Sequence, residues 1–278
     1  MFPFHNKAQA EFNWIIILIA GTILLIALIA FAIDYRSLSN KKLNTELSLA
    51  LSSHLDTLTT SGLSTSLNPD GMDFFSTRFS CNSILLNNGY PVTIGDKAIF
   101  SSSSIATDKL LIWVEELSLP YKIDNLYYIS SPYIKYYLLY DDSTYDLANS
   151  IYSYLPKLSD GSSFFNFKLI SSIEEINEDI AIARLREIRI ITFNDIDKPS
   201  FPVKTSIIKL SQSLVKGTAF YLDSSEEVSY LKKQLLLAAI FSDDYTCNLA
   251  KLNSRLATIN AIYKDKTDLL FYKTQATK

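Results

Sequence analysis

The chain is poor in the residues from which most active sites are built. It has seven glycines and two histidines in 278 residues. So few glycines leave little material for the glycine-rich loops that cradle phosphates. The histidines, His5 and His54, stand in no sequence framework from which a nucleophilic triad can be argued. The two cysteines, Cys81 and Cys247, lie far apart, and neither has a second cysteine or a histidine nearby, which argues against a zinc site. Positive charge is not in excess: the formal net charge is −3 and the pI about 5.5, so there is no basic field to hold nucleic acid. None of the sixteen asparagines begins an Asn-x-Ser/Thr acceptor. There is no internal repeat, no low-complexity tract beyond short serine runs, and nothing that implies a cofactor.

What is abundant is apolar. Hydrophobic residues make up 48% and charged residues 20%, a balance that supports a packed core and argues against disorder. Residues 14–33 carry no charge at all. At about 1.5 Å rise per residue, such a helix spans about 30 Å, the thickness of a bilayer's hydrocarbon core. A soluble core helix of that length carries polar residues on one side. A cleaved secretory signal has a shorter apolar region of about 7–15 residues, with small residues at the cut. Here "AIDYRSLSNKK" follows instead. The run therefore reads as a retained anchor, with Trp14 and Tyr35 bracketing it as interfacial aromatic residues.

Three residues before the run stands a lone carboxylate, Glu11, in "KAQAEF". This stretch resembles the class III signal peptides of archaeal type IV pilin-like proteins. More broadly, the N-terminus resembles that of archaeal single-pass membrane proteins with a large soluble domain. The resemblance covers about 30 residues, and it implies cleavage after Ala8, a new N-terminus at Gln9, and assembly in which Glu11 neutralises a neighbouring subunit's terminal amine. The chain departs from the family pattern in two ways. Glu11 would be the third mature residue where the fifth is usual, and Lys7 is the one firm positive charge of the leader. The plain alternative is a carboxylate at headgroup level with access to water.

Topology stays open between two readings. Arg36, Lys41 and Lys42 after the run outweigh Lys7 and the terminal amine before it, which favours a cytoplasmic domain. The leader-like motif favours an extracytoplasmic one, because its processing enzyme acts on the cytoplasmic side, and this is the topology expected here. In an exterior domain Cys81 and Cys247 can form a disulfide closing a long loop, worth roughly 3–5 kcal/mol. Otherwise they are buried thiols behaving as small apolar side chains.

Beyond the anchor, Leu43, Leu47, Leu51, Leu55 and Leu58 recur at helical spacing, so the anchor continues into an amphipathic helix, directly or after a bend near Ser39 and Asn40. Gly62 is a plausible stop, and Pro69, Asp70 and Gly71 form a turn signal. Residues 79–131 read as short strands and turns, with Trp113 as a core anchor and "KLLIWVEEL" as a strand or short helix. From residue 133 strands alternate with helices, which argues for an α/β sheet. Ser224 and Glu227 stand at capping-box spacing and predict a helix start. Leu249, Leu252, Leu256, Ile259 and Tyr263 form a short heptad seam, either covering the sheet or meeting another subunit.

The best candidate for chemistry is "LLYDDSTYDLA", where a strand ends and a helix begins. Asp141 and Ser143 resemble two positions of the Asp-x-Ser-x-Ser metal-adhesion loop of von Willebrand A-type domains. Tyr145 occupies the third position and offers no short hydroxyl. The competing reading is helix capping by Asp142, Ser143 or Thr144. The acid pairs Glu115-Glu116, Glu174-Glu175, Glu226-Glu227 and Asp243-Asp244 point in different directions and read as solvated faces. The tyrosine-rich zone from Tyr121 to Tyr154 is either sheet packing or a recognition surface.

The expectation is an α/β protein: a leader-like cytoplasmic segment (1–13), a transmembrane helix (14–33), an amphipathic stalk (34–60) and a mixed α/β sheet domain with C-terminal helices (61–278). Its partners would be the lipid bilayer and other surface proteins, including copies of itself. A structural or adhesive surface role is expected, with no catalytic residues. The rivals are a cytoplasmic-face scaffold and a membrane-tethered enzyme or ion-binding adhesin.

Overall fold

A computed structural model describes residues 5–58, 64–68, 75–182 and 184–276. The predicted turn residues Gly62, Pro69, Asp70 and Gly71 lie outside the described residues. One helix, α1 (His5–Thr57), runs unbroken for 53 residues through both the apolar run and the predicted stalk. The helix does not break near Ser39 and Asn40, since no proline interrupts it there. The two halves meet different surroundings. No residue of 14–36 is covered by the rest of the chain, whereas Leu51, Leu55 and Leu58 are buried in the core.

The strands are β1 (Ser64–Leu67), β2 (Phe75–Ser80), β3 (Ser83–Leu86), β4 (Val92–Thr93), β5 (Ala98–Ser101), β6 (Ser104–Thr107), β7 (Leu110–Ser118), β8 (Lys122–Ser130), β9 (Ile134–Leu139), β10 (Phe167–Ile170), β11 (Glu187–Thr192), β12 (Lys204–Leu210), β13 (Lys216–Tyr221) and β14 (Glu226–Leu231). Among the described residues four further helices follow: α2 (Tyr145–Tyr154), α3 (Glu174–Ile182), α4 (Lys232–Phe241) and α5 (Tyr245–Ala276). The strands form three sheets, ordered β1-β7-β8-β5, β4-β3-β2-β6 and β10-β9-β11-β12-β13-β14. "KLLIWVEEL" is therefore strand, the long β7 of the first sheet.

α1 docks on the β3–β4 hairpin. The Ser48 hydroxyl accepts from the Leu86 amide at 3.1 Å, and the Thr45 hydroxyl accepts from the Tyr90 amide at 2.8 Å. Gly89 allows that approach, since a Cβ there would stand 2.9 Å from the Asn44 carbonyl carbon. Farther along, Lys97 pairs with Asp56 at 2.6 Å.

α4 is the centre of the molecule. It packs on β8 and β5 of one sheet and on β13 and β14 of another, and each residue from Leu235 to Phe241 is buried. A helix apolar on all sides belongs in such a place. Phe241 lies against Tyr136, Tyr128 and Phe165, with ring centroids 4.8–5.4 Å apart. Trp113 is a core anchor, stacked on Tyr128 at 4.9 Å. A smaller apolar layer lies on the other face of the third sheet, where Ile176 of α3 covers Ile188, Ile190 and Ile207.

One expected helix start is a strand. Ser224 lies in the turn between β13 and β14, and Glu227 is in β14, paired with Phe220. The reason is the period: Val228 and Tyr230 are buried and their neighbours exposed, an alternation that a sheet edge satisfies. The helix begins at Lys232, with no side-chain cap on Leu231. α5 covers β5 and β8 through Leu249, Leu252 and Leu256. Cys247 of α5 is bonded to Cys81 in the β2–β3 turn, with Cα atoms 6.0 Å apart. Beside it Lys251 donates to the carbonyls of Cys81 and Lys97.

Candidate functional site

Within the third sheet, β10, β9, β11 and β12 are mutually parallel. The chain runs from β9 through α2 to β10, then back through α3 to β11 on the other side of β9. This reversal puts a topological switch point between the carboxyl ends of β9 and β11, where open α/β sheets bind ligands. Asp141 follows β9 and Asn194 follows β11. The Asn194 amide donates to Asp141 Oδ2 at 2.7 Å and bridges the crevice.

The other carboxylate oxygen of Asp141 closes a turn. Oδ1 accepts from the Ser143 hydroxyl at 2.7 Å, the Thr144 hydroxyl at 2.8 Å, and the amides of Ser143 and Thr144 at 2.9 Å each. Those hydroxyls, then the two amides, hold the Asp141 carboxyl at a pKa of about 2. Asp141 and Ser143 are thus together at the mouth of the sheet, but Ser143 points its proton at Asp141. Tyr145, at the position where an ion-binding loop needs a short hydroxyl, packs edge-on against Tyr140 at 5.1 Å. The turn-forming group is Asp141 itself, one residue before the expected caps, and Thr144 at the start of α2 makes no side-chain cap of its own.

The opposite end of the same strands holds a denser cluster. Glu187 and Arg189 sit two residues apart on β11, on the face turned toward α4. Both are buried, Arg189 to 1% exposure. Arg189 Nε donates to Glu187 Oε1 at 2.8 Å, Nη1 to the Ile240 carbonyl at 2.9 Å and Nη2 to Asp243 Oδ1. Glu187 Oε2 accepts from the Ser102 hydroxyl at 2.6 Å and from Lys204 Nζ at 3.0 Å. Asp243 Oδ2 accepts from the Ser103 amide at 2.9 Å and from Lys204 at 3.1 Å. Four segments meet here: β11, β12, the β5–β6 turn and the α4–α5 junction.

Burial opposes charge at both Arg189 and Asp243, and the partners outweigh it. Glu187 and Asp243 hold the guanidinium protonated more firmly than usual. Arg189, the Ser103 amide and Lys204 pull the Asp243 carboxyl well below the usual carboxylate range. The expected solvated pair Asp243-Asp244 is corrected by this geometry, since Asp243 is a partner of a buried arginine. A cavity of about 180 Å³ lies beside the cluster, with Tyr221 and Tyr245 in its wall. Both phenols donate to backbone carbonyls, of Ala239 and Ser229.

Sequence reasoning missed Glu187, Arg189, Lys204 and Ser102. The available signal was "EIRIIT", two opposite charges at alternate positions in an apolar strand. Of the other expected residues, Ala8, Gln9 and Glu11 lie in the first turns of α1. Cys81 and Cys247 lie beside Asp244, and as a disulfide they offer a metal no thiolate. A comparison of the chain with known proteins finds no matching family model, no matching curated protein and no matching solved structure.

Proposed function

We propose that this chain is a single-pass membrane protein with an extracytoplasmic α/β domain and a structural or adhesive role, acting through contacts with other surface proteins or copies of itself. The observation that carries the reading is α1. Its apolar half is long enough to cross a bilayer and has nothing packed on it, while its other half is part of the domain core. The Cys81–Cys247 bond supports the exterior placement, since disulfides persist in oxidising compartments. At both ends of β11 the charged groups have partners within the domain, neutral donors around Asp141 and ion pairs around Arg189, which supports a role in holding the domain together. In its pilin-like version the chain is cut after Ala8, and Glu11 pairs with the Gln9 amine of a neighbouring subunit.

Protease added to intact cells tests the topology. Release of the domain without lysis is expected. Protection until the membrane is broken would move the domain to the cytoplasmic face, a reading that the cations Arg36, Lys41 and Lys42 favour. N-terminal sequencing of the mature protein tests the pilin-like version, which requires Gln9 first and fails if Met1 is retained.

A further inference from the structure

Between the first turns of α1 beyond the apolar run and the β3–β4 hairpin lies an open groove of about 720 Å³. Its wall on α1 carries Ser37, Asn40, Lys41 and Asn44, and the sheet side carries Arg78 of β2 and Asn88 of the hairpin turn. The groove's position relative to the membrane follows from the helix. Lys41 is eight residues past Ile33, about 12 Å along the axis, and Asn44 about 16 Å. The headgroup layer is about 5–8 Å thick on each side of the hydrocarbon core. Long cationic side chains reach back toward such a layer. The groove therefore begins at headgroup level at Ser37, four residues or about 6 Å past Ile33, and Lys41 can reach back toward the phosphates there.

Its charge suits an anion. Among the described residues Lys41 and Arg78 make no ion pair, and both are exposed. The nearby carboxylates on α1 are Asp34, about two turns before Lys41, and Glu46, which Lys42 faces at 3.8 Å. Asn40 and Asn88 can donate amide protons to phosphate oxygens, and Arg78 presents a fork that matches them in pairs. The groove is also held in shape. The hairpin is fixed to α1 by the Thr45 and Ser48 hydroxyls and by the close approach at Gly89.

We infer that this groove binds the phosphate of an anionic phospholipid from the adjacent leaflet, with Lys41 and Arg78 as its cationic contacts. The site would fix the angle at which the domain stands on the membrane. The inference rests on α1 being a membrane anchor, and it is independent of which side the domain occupies.

The test uses the full chain in nanodiscs containing equal phosphatidylcholine and phosphatidylglycerol, with the lipids retained on the protein identified by native mass spectrometry. Preferential retention of phosphatidylglycerol is expected. The double variant Lys41→Gln/Arg78→Gln should lower that preference about thirtyfold, roughly fivefold for each charge. Lys42→Gln, outside the groove on the same helix, should leave it nearly unchanged. Equal loss in Lys42→Gln and Lys41→Gln would assign the preference to a diffuse field and overturn the site. So would equal retention of both lipids by the parent. Inorganic phosphate that displaces phosphatidylglycerol at millimolar level would make free phosphate the ligand and overturn the lipid source. A chain recovered outside the discs would overturn the anchor itself, an outcome distinct from an inserted chain without lipid preference.

Discussion

The two ends of β11 use charge in opposite ways. At the carboxyl end Asp141 is exposed, and its partners are its own turn and one amide from the neighbouring strand's end. At the amino end Glu187 and Arg189 are buried, and they tie together segments more than 100 residues apart in the chain, such as Ser102 and Lys204. The first end looks like a ligand site from the sequence, and its hydrogen bonds close a local turn. The second is silent in the sequence and behaves as the junction between sheets. The lesson is that proximity in the chain makes a site visible, while long-range assembly makes it matter to the fold.

The contrast breaks most directly at Glu187. Replacing it with Ala leaves the Arg189 guanidinium buried with one carboxylate fewer, which should cost about 3–5 kcal/mol of stability, read from urea unfolding of the full chain. A loss no larger than that of an exposed surface substitution would reduce the junction to ornament. Acid sharpens the same contrast. Asp243 has a folded pKa below its unfolded value of about 3.9, so its contribution is fully present above that value and is lost as pH falls through the folded one. The unfolding midpoint should hold steady down to about pH 5 and drop between about pH 4 and pH 2, with a shallower drop in Asp243→Asn. Identical pH profiles for parent and variant would remove Asp243 from the account.

The smallest effect is expected at the other end. Asp141→Ala should speed amide exchange through the first turn of α2 and leave the global midpoint almost unmoved. Magnesium or calcium should treat parent and variant alike. A cation-dependent rise in the parent's melting temperature that disappears in Asp141→Ala would establish the ion-binding reading of Asp141 and Ser143.

Much of the architecture was legible because its signals are local. The uncharged run, the leucine spacing of α1 and the alternation of strands and helices after residue 133 each depend on neighbours a few positions away. The β14 strand was not, since Ser224 and Glu227 carry a capping signal whose alternative is a pairing partner supplied by β13. Nor was the Glu187–Arg189 cluster, because "EIRIIT" gives no hint that Asp243 and Lys204 arrive on the same face. Asp141 was legible as a polar mouth, but which atoms would satisfy its oxygens depended on the path of three following residues and on Asn194.

The sequence by itself determined that residues 14–33 have no water-compatible face and that an α/β domain follows, since side-chain polarity and period are properties of the chain alone. Only the tertiary structure decided where the buried charges meet, that Cys81 reaches Cys247, and that a basic groove opens beside the helix. Those outcomes depend on distances between residues remote in sequence, which the packing of helices on the sheets fixes.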